Sequence, residues 1–106
     1  MAAFRKKTIM LELNSKQVRF LRSASHGLGP TVMIGNNGLS EAVLREIDLG
    51  LKSHELIKIK VQSDQRELRQ QMLQEICEKL AAAPIQHIGK QLVVYRPADK
   101  PKIILP

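Results

Sequence analysis

Leu56-Ile57-Lys58-Ile59-Lys60-Val61 alternates apolar and charged side chains, so Ile57, Ile59 and Val61 face one way and Lys58 and Lys60 the other. This is the signature of a half-buried strand, and it orders the elements on both sides. Upstream, Val43, Leu44, Ile47 and Leu51 recur at helical spacing, which predicts a helix beginning near Ser40. Before it, Thr31-Val32-Met33-Ile34 reads as a short buried strand, joined to that helix by Gly35-Asn36-Asn37-Gly38. Asn14 or Ser15 can cap a first helix running to about His26 and ended by Gly27-Leu28-Gly29-Pro30. At 100° per residue its packing side is Phe20, Leu21, Ala24 and Leu28, and its wet side is Lys16, Arg19 and Arg22.

Downstream, Asp64 with Glu67 three residues on looks like a capping box for a third helix. Leu68, Met72, Leu73, Ile76, Cys77 and Leu80 form its apolar stripe, and Pro84 is expected to stop it. Ile85–Ile88 and Leu92–Arg96 read as a hairpin turned by Gly89-Lys90, with Pro97 closing the last strand. Ile103-Ile104-Leu105 is an expected extra edge segment. The order α-β-α-β-α-β-β makes one α/β domain with a four-stranded mixed sheet, spanning 13–106 behind an N-terminal extension at 1–12.

A chain of 106 residues with 43% apolar and 25% charged residues is sized for one folded domain. The single cysteine, Cys77, gives no disulfide framework, and its place on an apolar stripe reads as an inert core thiol. No apolar run approaches the ~18 residues of a membrane span. The expected setting is the cytoplasm, with no membrane partner. The net charge of +7 is concentrated at the chain ends: residues 1–40 carry +5 and 81–106 carry +3, against −1 for 41–80. Such a field attracts polyanions, and the lack of a basic helix with a strongly apolar opposite face favours nucleic acid over lipid.

Catalysis finds no candidate group. His26, His54 and His87 are scattered without metal-ligand spacing, and no serine lies in a nucleophile elbow. There is no phosphate loop ending in Gly-Lys-Ser/Thr and no dinucleotide fingerprint, so neither an enzyme nor a cofactor or metal is expected. His54, at a helix-to-strand junction, reads as a cap. Gly35-Asn36-Asn37-Gly38 before a helix supports two readings. It could aim N–H groups and the helix dipole at a phosphate, as the Gly-x-x-Gly loop of KH domains does, or it could be a plain strand-to-helix turn. Lys16, Arg19, Arg22, Lys58 and Lys60 are each ordinary surface taken singly, but together with the charge distribution they favour RNA contact. Phe4, Phe20 and Tyr95 are the only aromatics; Phe20 is expected in the core, while Tyr95 could pack or stack on a base. A reader of RNA backbone and shape fits this composition better than a reader of single-stranded bases.

Several stretches together resemble one family. They are Leu13-Asn14-Ser15-Lys16-Gln17, Pro30 through Gly35-Asn36-Asn37-Gly38-Leu39, His54-Glu55-Leu56-Ile57-Lys58-Ile59-Lys60, Ile88-Gly89-Lys90, Leu92-Val93-Val94-Tyr95-Arg96-Pro97, Lys102-Ile103 and Leu105-Pro106. The sequence resembles the CRM domain family (chloroplast RNA splicing and ribosome maturation), most closely its small stand-alone, YhbY-like bacterial members. The resemblance implies a fold similar to the C-terminal domain of bacterial translation initiation factor three. It also implies RNA binding through the Gly-x-x-Gly loop and adjoining basic surface, and association with precursors of the large ribosomal subunit. Many family loops carry a basic residue between the glycines, whereas Asn36 and Asn37 stand here, leaving charge to Lys16, Arg19, Arg22, Lys58, Lys60 and Arg96. The expected protein is a monomer bound to ribosomal RNA; the alternative is an adaptor docking on a ribosomal protein or assembly factor. Arg5-Lys6-Lys7 could be an RNA-touching arm.

Overall fold

The computed structural model describes residues 12–106, so the expected N-terminal extension and its Arg5-Lys6-Lys7 lie, but for Glu12, outside the described residues. The elements are α1 (Ser15–Ser25), β1 (Pro30–Ile34), α2 (Glu41–His54), β2 (Leu56–Val61), α3 (Arg66–Leu80), β3 (Ala83–Ile88) and β4 (Gln91–Tyr95). The sheet order is β1-β2-β4-β3, with β1 parallel to β2 and the two other pairings antiparallel. The expected order and mixed sheet are therefore those observed.

Alternation along the strands builds two cores, one on each face of the sheet. Val32, Ile34, Ile57, Ile59, Val61, Leu92 and Val94 meet Ile47 and Leu51 of α2 and Leu73, Ile76 and Cys77 of α3. On the opposite face Leu56, Ala83, Ile85, Val93 and Tyr95 close around Leu21 of α1. Each border strand is interrupted: β1 begins with Pro30 and shifts register before Val32, and β3 holds Pro84 and shifts register before Gln86. Proline is tolerated at both places because the outer side of a border strand needs no ladder donor.

Several local expectations change. The capping box belongs to α1, where Asn14 Oδ1 accepts the Gln17 N–H at 2.8 Å and Gln17 Oε1 accepts the Asn14 N–H at 3.1 Å. α3 instead has Gln65 at its cap with no side-chain bond, and Asp64 is drawn to Lys90 Nζ at 2.7 Å. α3 ends at Ala81, which takes the left-handed conformation (φ 54°, ψ 45°), and Pro84 lies within β3. His54, expected as a cap, is the exposed last residue of α2. α1 is rotated so that Leu21 and Ser25 face inward while Phe20 and Ala24 face water, and Leu28, expected on its packing side, lies beyond its end and is exposed. One bond to the sheet fixes that rotation, Arg22 Nε donating to Ile85 O at 3.0 Å, while the buried Ser25 Oγ is satisfied within the helix by donating to Arg22 O at 2.7 Å. The hairpin turn is as expected, with Gly89 at φ +56°.

The tail does not extend the sheet; Glu55 holds it. This residue caps α2 with φ +67° and is 1% exposed. Its carboxylate accepts N–H groups from Ala98 (2.8 Å), Lys102 (3.0 Å) and Ile103 (2.9 Å), which seats Ile103 and Leu105 on the α1-side core and leaves Ile104 exposed. Burial alone would raise the Glu55 pKa, but the N–H donors of Ala98, Ile103 and Lys102, with the Lys102 charge, outweigh it and hold it below the ordinary value. With the folded-state pKa of Glu55 depressed, the stabilisation is whole above the ordinary value near 4.5 and fades as pH falls through the depressed one. Glu55→Gln should therefore cost about 2–3 kcal/mol at neutral pH through imperfectly paired buried N–H groups. Urea unfolding of both proteins across pH should show that gap narrowing toward acid, and hydrogen exchange at Lys102 and Ile103 should quicken in the variant.

Candidate nucleic-acid interface

The Gly35–Gly38 loop leaves the C-terminal end of β1 and enters α2. Gly38 N–H donates to Gly35 O at 3.1 Å and Ser40 N–H to Gly38 O at 3.0 Å, forming a compact turn with Asn36 and Asn37 exposed at its tip. Ser40 then caps α2, its Oγ accepting the Val43 N–H at 3.2 Å. The two glycines differ in their needs. Gly38 sits at φ +68°, where an L side chain is strained. Gly35 has no positive φ, and a Cβ added there would meet only Gln62 Oε1, at 3.8 Å. Gly38 therefore shapes the turn, and Gly35 keeps its outer surface bare. The N-terminal end of the α2 dipole lies behind the loop, although Glu41 in the first turn offsets part of its attraction for an anion.

Gln62 ties the loop to the end of β2: its N–H donates to Ile34 O at 2.8 Å and its Nε2 to Met33 Sδ at 3.1 Å. Lys60 pairs with Met33 in the ladder, and Lys58 lies two residues further along the same strand face. That face is the α1 side of the sheet, but α1 buries only its other half, over Leu56, Val93 and Tyr95. Lys60 is exposed and Lys58 half-buried. A hollow of about 360 Å³ is lined by Lys60, Gln62, Ser63, Asp64 and Lys90.

Among the described residues Lys16, Arg19, Lys58 and Lys60 have no carboxylate within ion-pair distance. Lys16 and Arg19 are exposed on α1, on the same side of the sheet as the strand lysines. Arg22 is also exposed, but its Nε is committed to Ile85 O. Arg96 stands apart from the group. It follows β4, at the end of the sheet away from the loop, and its Nη1 donates to Asp48 Oδ1 (2.9 Å) and Leu80 O (2.8 Å), with Nη2 on Asp48 O at 3.2 Å. That guanidinium joins α2, α3 and β4, so its expected place on the basic surface is corrected to a structural one. Desolvation would raise the Asp48 pKa, and the Arg96 and Lys52 partners hold it below the usual range.

Three further groups at the loop end escaped the sequence reading. Lys90 enters through the hairpin turn, with its own O accepting the Val61 N–H at 2.8 Å. Arg66 is exposed at the start of α3. Arg69 is 7% exposed; its Nη1 donates to Ser63 O at 2.8 Å and its Nε to His87 Nε2 at 3.1 Å. Arginine cannot accept, so His87 Nε2 is the acceptor and Nδ1 carries the proton toward Gln70 Oε1 at 2.9 Å. Burial and the nearby Arg66 and Arg69 charges hold the His87 pKa below the ordinary histidine value. The available signal was Arg69 sitting in register with Leu73 and Ile76 on the apolar stripe.

Tyr95 is 2% exposed beneath α1, which removes it as a stacking platform, and burial followed by the Glu55 charge raises its pKa. Burial pushes the Cys77 thiol up to about 12, leaving it without nucleophilic character at neutral pH. The described residues contain no cluster of three or more His, Cys, Asp or Glu suited to a metal, and none of their helices is long and apolar enough to cross a membrane.

Comparison with known proteins places the fold and its loop in context. The family model of the CRS1 / YhbY (CRM) domain matches residues 13–96. A protein of Haemophilus influenzae named an RNA-binding protein is 47% identical over 97 residues, covering 92% of this chain and 98% of the relative. A Pseudomonas aeruginosa protein, named probable RNA-binding protein PA4753, is 37% identical over 91 residues, covering 86% and 88%. The solution structure of SAV1595 from Staphylococcus aureus, described as a putative RNA binding protein, superposes with a TM-score of 0.79 at 32% identity, covering 90% of this chain and all of that one. The matched span runs from just before the α1 cap to the residue after β4, so the helices, the sheet and the glycine loop all fall within it. This chain belongs to the CRS1/YhbY (CRM) domain family.

Proposed function

We propose that the chain is an RNA-binding protein acting by attachment rather than by catalysis, as a cytoplasmic monomer, on ribosomal RNA of large-subunit precursors. The observation that carries the RNA reading is the bare Gly35–Gly38 turn opening next to Lys60, with Lys58 farther along the same strand face and neither lysine within ion-pair distance of a described carboxylate. The names of the Haemophilus and Pseudomonas relatives support RNA as the ligand. The family resemblance supports the ribosomal target. In this reading the Gly35–Gly38 turn, its Gly38 N–H closed onto Gly35 O, lets a phosphate approach the backbone of Gly35, Asn36 and Asn37, while Lys58, Lys60, Lys16 and Arg19 neutralise its neighbours.

Phosphate neutralisation makes affinity fall linearly with salt on logarithmic axes. The double variant Lys58→Ala/Lys60→Ala should lower that slope by about 2, one per lost phosphate contact. An unchanged slope in filter-binding titrations removes the strand lysines from the interface. Gly35→Val should melt at nearly the wild-type temperature because its Cβ has room, yet bind RNA at least several-fold more weakly. Full binding by that folded variant refutes a close backbone approach at Gly35. In sucrose gradients of a cell lysate the protein should travel with large-subunit precursors at low salt and leave them at moderate salt or after RNase. Retention after RNase points to the adaptor alternative, and absence from the particles at both salts rejects the ribosomal target.

A further inference from the structure

One row of side chains crosses all four strands at the loop end of the sheet. Met33 pairs with Lys60, Lys60 with Gln91, and Gln91 with Ile88, so β1, β2, β4 and β3 each contribute one residue to a single line. α1 does not cover it: Met33 is 51% and Ile88 55% exposed, although Val93, the next residue inward on the same face of β4, is wholly buried. Two large apolar side chains thus stand in water at the ends of a row about 14 Å wide, three strand spacings, and between them Lys60 has no carboxylate among the described residues within ion-pair distance. Met33 is held in place by Gln62 Nε2 on its sulfur, and the Gly35–Gly38 turn begins two residues after it.

Resting on the RNA reading above, the geometry points to this row as a binding platform for unpaired nucleotides that continue from the phosphate held at the loop. Apolar side chains offer surfaces to base faces, and a methionine thioether is favourable against an aromatic ring. Lys60 stands where the backbone joining two such bases would pass, and the half-buried amides of Gln91 and Gln86 can meet base edges. A protein partner fits the row poorly, because interface cores are depleted of lysine and this row has one between its two apolar residues. The ligand is then a hairpin or helix end with a single-stranded continuation, and not an uninterrupted duplex. This modifies the expectation from the scarcity of aromatics: aliphatic side chains replace the aromatic platform that the sequence lacks.

The test compares a blunt RNA hairpin with the same hairpin carrying a short single-stranded extension. Wild-type protein should bind the extended RNA about tenfold more tightly, the scale of one or two stacked bases. Met33→Ala/Ile88→Ala should remove most of that preference, and Ile88→Ala alone, whose exposed side chain takes no part in tying the loop, should weaken it while leaving blunt-hairpin affinity, salt slope and melting temperature unchanged. Equal wild-type affinity for the two RNAs, or a preference that survives in the double variant, overturns the platform and leaves the phosphate clamp standing. Failure of wild-type protein to bind either RNA at low salt overturns the RNA reading itself.

Discussion

The Glu55 carboxylate, taken out of water and satisfied by three backbone N–H groups, is the constraint on which the rest of the structure depends. It ends α2, starts β2 and fixes the tail in one residue, at a positive φ that a glutamate adopts only under compulsion from its surroundings. The same residue's carbonyl accepts the Arg96 N–H at 2.8 Å, so the main chain leaving β4 is held by it as well. A buried carboxylate with fewer donors would be a liability. With its donors in place it lets Ile103 and Leu105 complete the core under which Leu21 of α1 is seated.

This arrangement divides the sheet by function. At the Glu55 end, charged groups are committed internally: Arg96 is bound to Asp48 and Leu80, and the tail covers what the helices do not. At the other end β1 and β2 finish beside the glycine turn, α1 has stopped covering the sheet, and Lys60 faces solvent with no carboxylate among the described residues within ion-pair distance. An internally bonded end thus presents an end where Lys60 stays free of such bonds among the described residues, a division suited to a protein that must stay folded while its charges are handed to a ligand.

The strand pattern of Leu56–Val61, the helical stripes and the Gly89 turn were legible because each depends on neighbours within a few residues. The rotation of α1 was not, since it is set by Arg22 reaching Ile85, 63 residues away. Glu55 gave no sign of its role because its partners are main-chain N–H groups 43 to 48 residues distant, which no side-chain identity announces. Arg96 shows the same difficulty for the site: an arginine bound to a carbonyl and an arginine awaiting phosphate read alike until Asp48 and Leu80 are placed beside it. The glycine loop and the strand lysines were recoverable, being local, but their union through Gln62 and Met33 required the parallel pairing of β1 with β2.

The two borders of the sheet share a design. Each carries a proline, Pro30 on β1 and Pro84 on β3, and each breaks register next to it. A neighbouring chain approaching either side would meet a gap among the donors and a bend in the strand, so neither border is a good template for lateral growth. For a chain with 43% apolar residues and short, Ile- and Val-rich strands, that is a built-in resistance to fibril formation.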